Sequence, residues 1–184
     1  GGLVTALVEN SGSNVSVDMG KVSFQSNEIT VVGKIREVLN ETININGQQL
    51  TFCAVTIGNP HCVVMNGEQI PEKVRRIGPL IETHKYFPNR INVQFLEVLD
   101  RSNIQIKILE RGTGYTLASG SSSCAAASVA YRLGLCEKNI AVLMPGGQID
   151  ITVNEDYSIS MRGPVTRVGT MSIDPECLDT ETST

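Results

Sequence analysis

The chain has 184 residues, a formal net charge of −4, 41% hydrophobic and 18% charged residues, and no Trp. That length and balance fit one ordinary domain or two small ones with a self-sufficient apolar core, and they exclude a disordered chain. A mildly acidic chain without a Lys/Arg cluster gives no reason to expect nucleic acid as a partner. No apolar run reaches the length of a membrane span, and no charged-then-apolar leader opens the sequence.

Leu3 to Glu9, Asn14 to Met19, Thr30 to Leu39 and Thr51 to Ile57 are rich in Val, Ile and Thr and read as strands. Asn46-Gly47 between Ile43/Ile45 and Leu50/Phe52 predicts a tight hairpin. His61 to Met65 is a further short strand, with Asn66-Gly67 turning the chain. Pro71 to His84 has helical spacing, with Val74, Ile77, Leu80 and Ile81 on one face. Ile91 to Leu99 and Ile104 to Leu109 are strands joined by Asp100-Arg101-Ser102-Asn103. Tyr115 to Ala118 leads into Ser119-Gly120-Ser121-Ser122-Ser123. An Ala-rich helix from Cys124 to Leu135 follows, closed by Gly134. Ile140 to Met144, Gln148 to Val153, Ile159 to Met161 and Val165 to Ile173 return to strand patterns, and Asp174 to Thr184 is a polar, frayed tail. Runs of strands with few helices make this an α+β fold. The late helix is small and apolar around much of its circumference, which predicts that a strongly curved sheet encloses it.

The five cysteines, Cys53, Cys62, Cys124, Cys136 and Cys177, have irregular spacing and no CxxC. They read as reduced thiols of a cytoplasmic protein, with no metal expected. The chain starts on apolar residues without Met, as though entered in mid-strand, so a fragment or a separately expressed domain is the expectation.

Four segments can carry chemistry. Ser119 to Ser123 opens a helix, where unpaired N–H groups and the positive dipole end suit a carboxylate or phosphate; Gly120 admits close approach and Ser121 adds a donor. The same residues serve equally as a plain helix cap. Glu110-Arg111-Gly112-Thr113-Gly114 can fix an α-amino acid, Arg111 taking the carboxylate and Glu110 the ammonium, or can simply be a solvated strand end. In Gly58-Asn59-Pro60-His61-Cys62, Asn59 is a turn residue. His61 is a proton shuttle or a satisfied strand residue, and Cys62 faces the opposite side, into the core. Asn92 is a poor packing residue at the start of an apolar strand and can point at a ligand. His84 sits near the end of the surface helix in solvent.

Taken together, these segments resemble the diaminopimelate epimerase family. The matching text is Gly58-Asn59-Pro60-His61-Cys62-Val63-Val64, Gly78-Pro79-Leu80-Ile81-Glu82 with Phe87-Pro88, and Arg90-Ile91-Asn92-Val93-Gln94-Phe95. After these come Glu110-Arg111-Gly112-Thr113-Gly114 with Thr116-Leu117-Ala118, Pro145-Gly146-Gly147 and Arg162-Gly163-Pro164. The resemblance implies two α/β halves, each a curved, mostly antiparallel sheet around a central helix, with the active site between them. On that reading residues 1–18 are the end of the N-terminal half or interdomain strands, 19–173 form the C-terminal epimerase domain, and 174–184 are a polar tail. The partners implied are an amino-acid substrate and the missing N-terminal half, with a homodimer compatible and no membrane. The chemistry implied is cofactor-free (PLP-independent) epimerisation of an amino acid, with a thiolate base and a thiol acid on opposite faces of the α-carbon. The first expectation is LL- to meso-diaminopimelate, a precursor of lysine and peptidoglycan, or else the reaction of a close amino-acid racemase.

Carried over residue by residue, Asn59, Asn92, Glu110 and Arg111 contact substrate, His61 with Glu110 assists proton transfer, and Gly120 and Ser121 hold the carboxylate. Two departures matter. Ser119 stands where the family has its second catalytic cysteine, and nothing in the chain matches the Met-Cys-Gly-Asn-Gly segment of the first. Cys124 cannot replace Ser119: five residues on, at about 100° each, it points roughly 140° away. A serine hydroxyl ionises far less readily than a thiol of pKa about 8.5. The alternatives are therefore a one-cysteine relative that dehydrates a hydroxylated amino acid, and a non-catalytic binding fragment.

Overall fold

A computed structural model describes residues 4–65 and 70–177. The expected Asn66-Gly67 turn, the Leu3 start of the first strand, and the tail beyond residue 177 lie outside the described residues. Within them are strands β1 (Ala6–Glu9), β2 (Asn14–Lys21), β3 (Glu41–Ile45), β4 (Gln48–Thr56), β5 (Pro60–Val64), β6 (Asn92–Val98) and β7 (Asn103–Glu110). Strands β8 (Gly114–Thr116), β9 (Asn139–Met144), β10 (Gly147–Val153) and β11 (Ser158–Pro164) follow. The helices are α1 (Ser26–Ile29), α2 (Pro71–Glu82) and α3 (Gly120–Arg132).

One sheet runs in the order β1-β2-β11-β10-β9-β7-β6-β5-β4-β3, with β8 paired to β7. Its pairs are antiparallel except β5 with β6 and β7 with β9. Helix α3 packs against the contiguous run β11-β10-β9-β7-β6-β5-β4. Seven flat strands would be roughly 29 Å wide at 4.8 Å spacing, whereas a 13-residue helix is about 20 Å long and 10–12 Å across. The sheet must therefore curl round the helix. The curl closes where the chain beyond β2 returns to β4: Ser23 N donates to Thr56 O at 3.0 Å and Thr56 N to Ser23 O at 2.8 Å.

Strand alternation divides the core in two. Cys53, Val55, Val63, Leu96, Ile104, Ile106 and Ile108 point inward onto Cys124 to Ala127, Val129 and Ala130 of α3. Phe52, Ala54, Cys62, Val64, Val93 and Phe95 point outward beneath α2. Small residues on α3 are what allow so many strands to approach it. On the outside, Gly78 lets α2 sit on the sheet: a Cβ there would lie 2.8 Å from Leu109 Cδ1.

The Asn46-Gly47 hairpin is present, with φ of 51° and 85° at its two turn residues. Three expectations need correction. Thr30 to Leu39 is not a strand. Ser26 binds the loop instead, its Oγ accepting from Arg36 N and donating to Lys34 O, while Val31 and Val38 are buried as anchors. Val165 to Ile173 is irregular and exposed, because β2, the strand it would extend along, ends opposite Pro164 at Asn14. Leu80 is 40% exposed; the buried face of α2 is Val74, Ile77, Gly78, Ile81 and Glu82, the i, i+3, i+4, i+7, i+8 stripe.

Candidate active site

Helix α3 starts four residues earlier than the sequence pattern suggests. Ser119 is its N-cap residue, extended at φ −159° and ψ 125°, and Ser121, Ser122 and Ser123 are already helical. Ser119 makes no side-chain capping bond. The helical ladder begins with Ser123 N donating to Ser119 O at 3.1 Å. The N–H groups of Gly120, Ser121 and Ser122 therefore have no intrahelical acceptor. The first turn contains no acidic side chain. This is a helix start left electropositive, not a capped one.

Gly120 is packed as well as open. A Cβ there would lie 2.7 Å from Met161 Sδ. The segment before the helix is pinned by the β9–β10 turn, where Gly146 N donates to Leu117 O at 2.8 Å. A Cβ on Gly146 would be 3.0 Å from that same oxygen, so this close seating favours glycine. Beside it lies an apolar cavity of about 410 Å³ lined by Val17, Ala118, Met144, Ile149, Met161 and Pro164. The polar residues are on the other side of the helix start.

They form a row across three strands. His61 of β5 pairs in register with Asn92 of β6, and continuing the Val93–Leu109 register puts Asn92 opposite Glu110 of β7. Alternation turns all three toward the α3 side. Hydrogen bonds tie the row to the helix: Asn59 Nδ2 donates to Ser121 Oγ at 3.4 Å, and His61 Nε2 lies 3.1 Å from Asn59 Oδ1. Asn92 bridges the strand ends, its Nδ2 donating to Pro60 O at 3.0 Å and its Oδ1 accepting from Arg111 N at 2.9 Å.

Arg111 thus has its backbone in the site, while its exposed guanidinium donates to Asn89 O at 3.0 Å. Glu82, 7% exposed, accepts from Gly112 N at 3.0 Å and faces Arg90 Nη1 at 3.5 Å, fixing the turn beyond Arg111. The sequence reading gave Glu82 no role; a glutamate on the buried stripe of α2 is the signal that could have found it.

His61 is fully buried. Burial pushes its imidazole down to about 4; the Gln94 side chain opposes this, and the Arg111 charge adds to it. His61 is therefore neutral at pH 7. Burial pushes the Cys62 thiol well above its usual range and Cys124 up to about 12. Neither is a thiolate at neutral pH, and Cys62 lies on the outer face as expected. No three His, Cys, Asp or Glu side chains among the described residues cluster to hold a metal ion. No helix among them is long and apolar enough to cross a membrane.

Comparison with known proteins decides the family. The sequence model described as diaminopimelate epimerase matches residues 53–168, which span every motif of the site. The chain belongs to the diaminopimelate epimerase family. It is 51% identical over 182 residues to diaminopimelate epimerase 2 of a Nostoc species, covering 99% of this chain and 64% of that protein. It is 37% identical over 155 residues to the diaminopimelate epimerase of Leptospira biflexa, covering 84% of this chain and 55% of that protein. The chain thus spans between about half and two thirds of the length of these relatives.

Among solved structures, a probable proline racemase from Agrobacterium radiobacter shares the fold with a TM-score of 0.65 at 14% identity, covering 95% of this chain and 58% of that one. A hydroxyproline epimerase from Agrobacterium vitis does so at 0.64 and 14%, covering 89% and 54%. The α+β, mostly antiparallel sheet curled round a central helix is therefore the fold of the epimerase family and of these neighbours alike.

Proposed function

We propose that this chain is the C-terminal part of a cofactor-independent amino-acid epimerase acting on diaminopimelate. The observation that carries the reading is the start of α3. Three unpaired N–H groups and an unused Ser119 hydroxyl are tied through Ser121 and Asn59 to the row His61, Asn92 and Glu110. Removing a proton from an amino-acid α-carbon drives charge into the adjacent carboxylate. Fixed donors aimed at that carboxylate stabilise the carbanion more than the ground state. Gly120 and Ser121 supply such donors, Asn59, Asn92 and Arg111 position the substrate, and Glu110 accepts from its ammonium. Neutral His61 holds Asn59 rather than carrying charge.

The test uses the full-length protein with LL-diaminopimelate in D2O, followed by proton NMR. Loss of the α-proton signal with appearance of the meso isomer is the expected result. No exchange on this or any other amino acid tested overturns the reading.

Ser119 favours a second reading. Epimerisation needs a proton donor on the second face, whereas dehydration of a hydroxylated amino acid needs one base and expels water. The products separate the two: inversion at one centre, or an enamine that becomes a keto compound. Ser119→Cys raises racemisation if the first reading holds, because a thiol at this helix start ionises readily. No rise favours the dehydratase.

A further inference from the structure

Arg111 stands in an exposed turn, yet three separate segments hold it. Arg111 N donates to Asn92 Oδ1 of β6 at 2.9 Å, and its guanidinium Nη1 donates to Asn89 O at 3.0 Å. The peptide that follows is held from the outer layer, where Gly112 N donates to Glu82 Oε1 of α2 at 3.0 Å. Arg111, Gly112 and Thr113 are themselves exposed, so burial of their own side chains does not fix the turn.

The third bond bears on what kind of turn this is. Thr113 N donates to Glu110 O at 3.1 Å, closing a four-residue turn with Arg111 and Gly112 at its centre. Gly112 has a φ of 77° while Arg111 keeps a negative φ, which makes this a type II turn. Types I and II differ by a flip of the central peptide, the one that carries Gly112 N. The flip turns ψ of Arg111 by about 150°. Glycine adopts both forms, and a Cβ at 112 would meet no atom within 4 Å, so neither the residue nor crowding around it selects one. A carboxylate facing Gly112 N does select, because the flipped peptide would present the Arg111 carbonyl oxygen to it instead.

Packing gives no reason for an acid at this position. Glu82 is 7% exposed, on the stripe that otherwise carries Val74, Ile77, Gly78 and Ile81. A carboxylate there is unfavourable unless it is hydrogen-bonded. Arg90 Nη1, at 3.5 Å, belongs to a side chain that is 58% exposed, so solvent screens that pair. The bond to Gly112 N is the stronger reason for a glutamate.

We propose that Glu82 is a positioning residue of the site: by accepting from Gly112 N it holds the turn 110–113 in its type II form, and so fixes where Glu110 and Arg111 stand. The hydrogen bond belongs to the fold; the role of Glu110 and Arg111 toward a ligand rests on the amino-acid site proposed above.

The test uses the full-length protein and two readouts. The first is hydrogen exchange of the Gly112 amide, followed by nitrogen-15 NMR. Glu82→Gln keeps an oxygen acceptor at the same reach and should leave this amide protected, whereas Glu82→Ala removes it and should quicken exchange about tenfold or more. The second is kinetics on LL-diaminopimelate. Glu110 and Arg111 hold the substrate in ground and transition states alike, so displacing them raises KM and spares kcat. Glu82→Ala should raise KM about tenfold with kcat within about twofold, and Glu82→Gln should recover most of that loss. A glutamate that served folding alone would lower the active fraction, and hence kcat, at constant KM. Gly112→Ala is a second route to the same end, since it leaves Glu82 in place but disfavours the positive φ; it should copy the rise in KM, and Gly112→Asn, which tolerates that φ, should copy it less. If Glu82→Ala fails to fold, the Gly112 pair decides. Unchanged Gly112 exchange in Glu82→Ala overturns the proposal whether or not the protein turns over this substrate. So does a loss of kcat at constant KM, or Glu82→Gln as impaired as Glu82→Ala. Quickened Gly112 exchange in Glu82→Ala, with no turnover by the unsubstituted protein, supports the turn selection and overturns the epimerase reading alone.

Discussion

The two long helices of this fold begin in opposite ways. Helix α2 starts at Pro71, which has no N–H to satisfy, and carries Glu72 in its first turn. It lies on the outside of the sheet with a single buried stripe. Helix α3 starts with a Ser119 that does not cap it, has no acid in its first turn, and is buried from Ser122 to Ala130. One helix has its electropositive end answered by its own sequence. The other has it left open at half-buried residues, beside buried amides and a neutral imidazole. A helix start left unanswered, where answering it requires only one substitution, is the local feature on which the proposed carboxylate site rests.

The largest way to sharpen that contrast is to charge each helix in its middle or on its rim. Ala126 is 0% exposed and surrounded by the inner core. Ala126→Asp should cost more than about 3 kcal/mol, since an unpaired carboxylate is driven into apolar surroundings. Leu80→Lys on α2, at a position 40% exposed, should cost under about 1 kcal/mol. Urea denaturation measures both. Comparable losses would mean that α3 is not enclosed as described.

How much of this was legible from residues alone follows the same division. Helix α2 and the Asn46-Gly47 hairpin could be read because period and turn chemistry are local. The start of α3 was placed four residues late because Ser119 to Ser123 are polar. Only the closed curl of the sheet makes Ser122 and Ser123 interior residues, and sheet closure is not a local property. Thr30 to Leu39 looked like a strand because Val31, Val32 and Val38 are strand formers, yet the Ser26 hydrogen bonds hold that segment as a loop. Motifs pointed to His61, Asn59, Asn92, Glu110 and Arg111, which the fold brings together. Gln94 lies in the Arg90 to Phe95 motif without a chemical signal of its own type. Its sole signal was parity: two residues beyond Asn92, it faces the same side.

A smaller effect is expected at the imidazole beside the open helix start. His61 has a folded value of about 4 against 6.5 unfolded, so between those limits the unfolded chain binds more protons. Stability is therefore unaffected above pH 6.5, falls as pH drops toward 4, and levels below that. The total loss is about 3 kcal/mol. Partial burial also lowers His84, and Lys85 adds to this, so His84 contributes with the same sign. Chemical denaturation from pH 7 to 4 should show the slope, and His61→Gln should flatten most of it. A slope identical in the variant would assign the acid sensitivity elsewhere.

The smallest effect is the most direct test of the comparison, because it gives α3 the first turn of α2. Ser121 is two residues past the N-cap, where an acidic side chain interacts favourably with the helix dipole. Its Oγ only accepts from Asn59 Nδ2, a bond that a carboxylate oxygen can also accept. Ser121→Asp should therefore raise stability by about 0.3–1 kcal/mol in low salt. On the proposed reading, the same charge in the full-length protein takes the place of the substrate carboxylate, and turnover is expected to be abolished. Ser121→Asn, neutral and of the same size, should leave stability near the starting value and retain part of the activity. If Ser121→Asp lowers stability instead, the N–H groups of the first turn are already satisfied and the open start of α3 is not a carboxylate site. If it stabilises the fold while ending turnover, the helix start has been kept weak for the sake of the ligand.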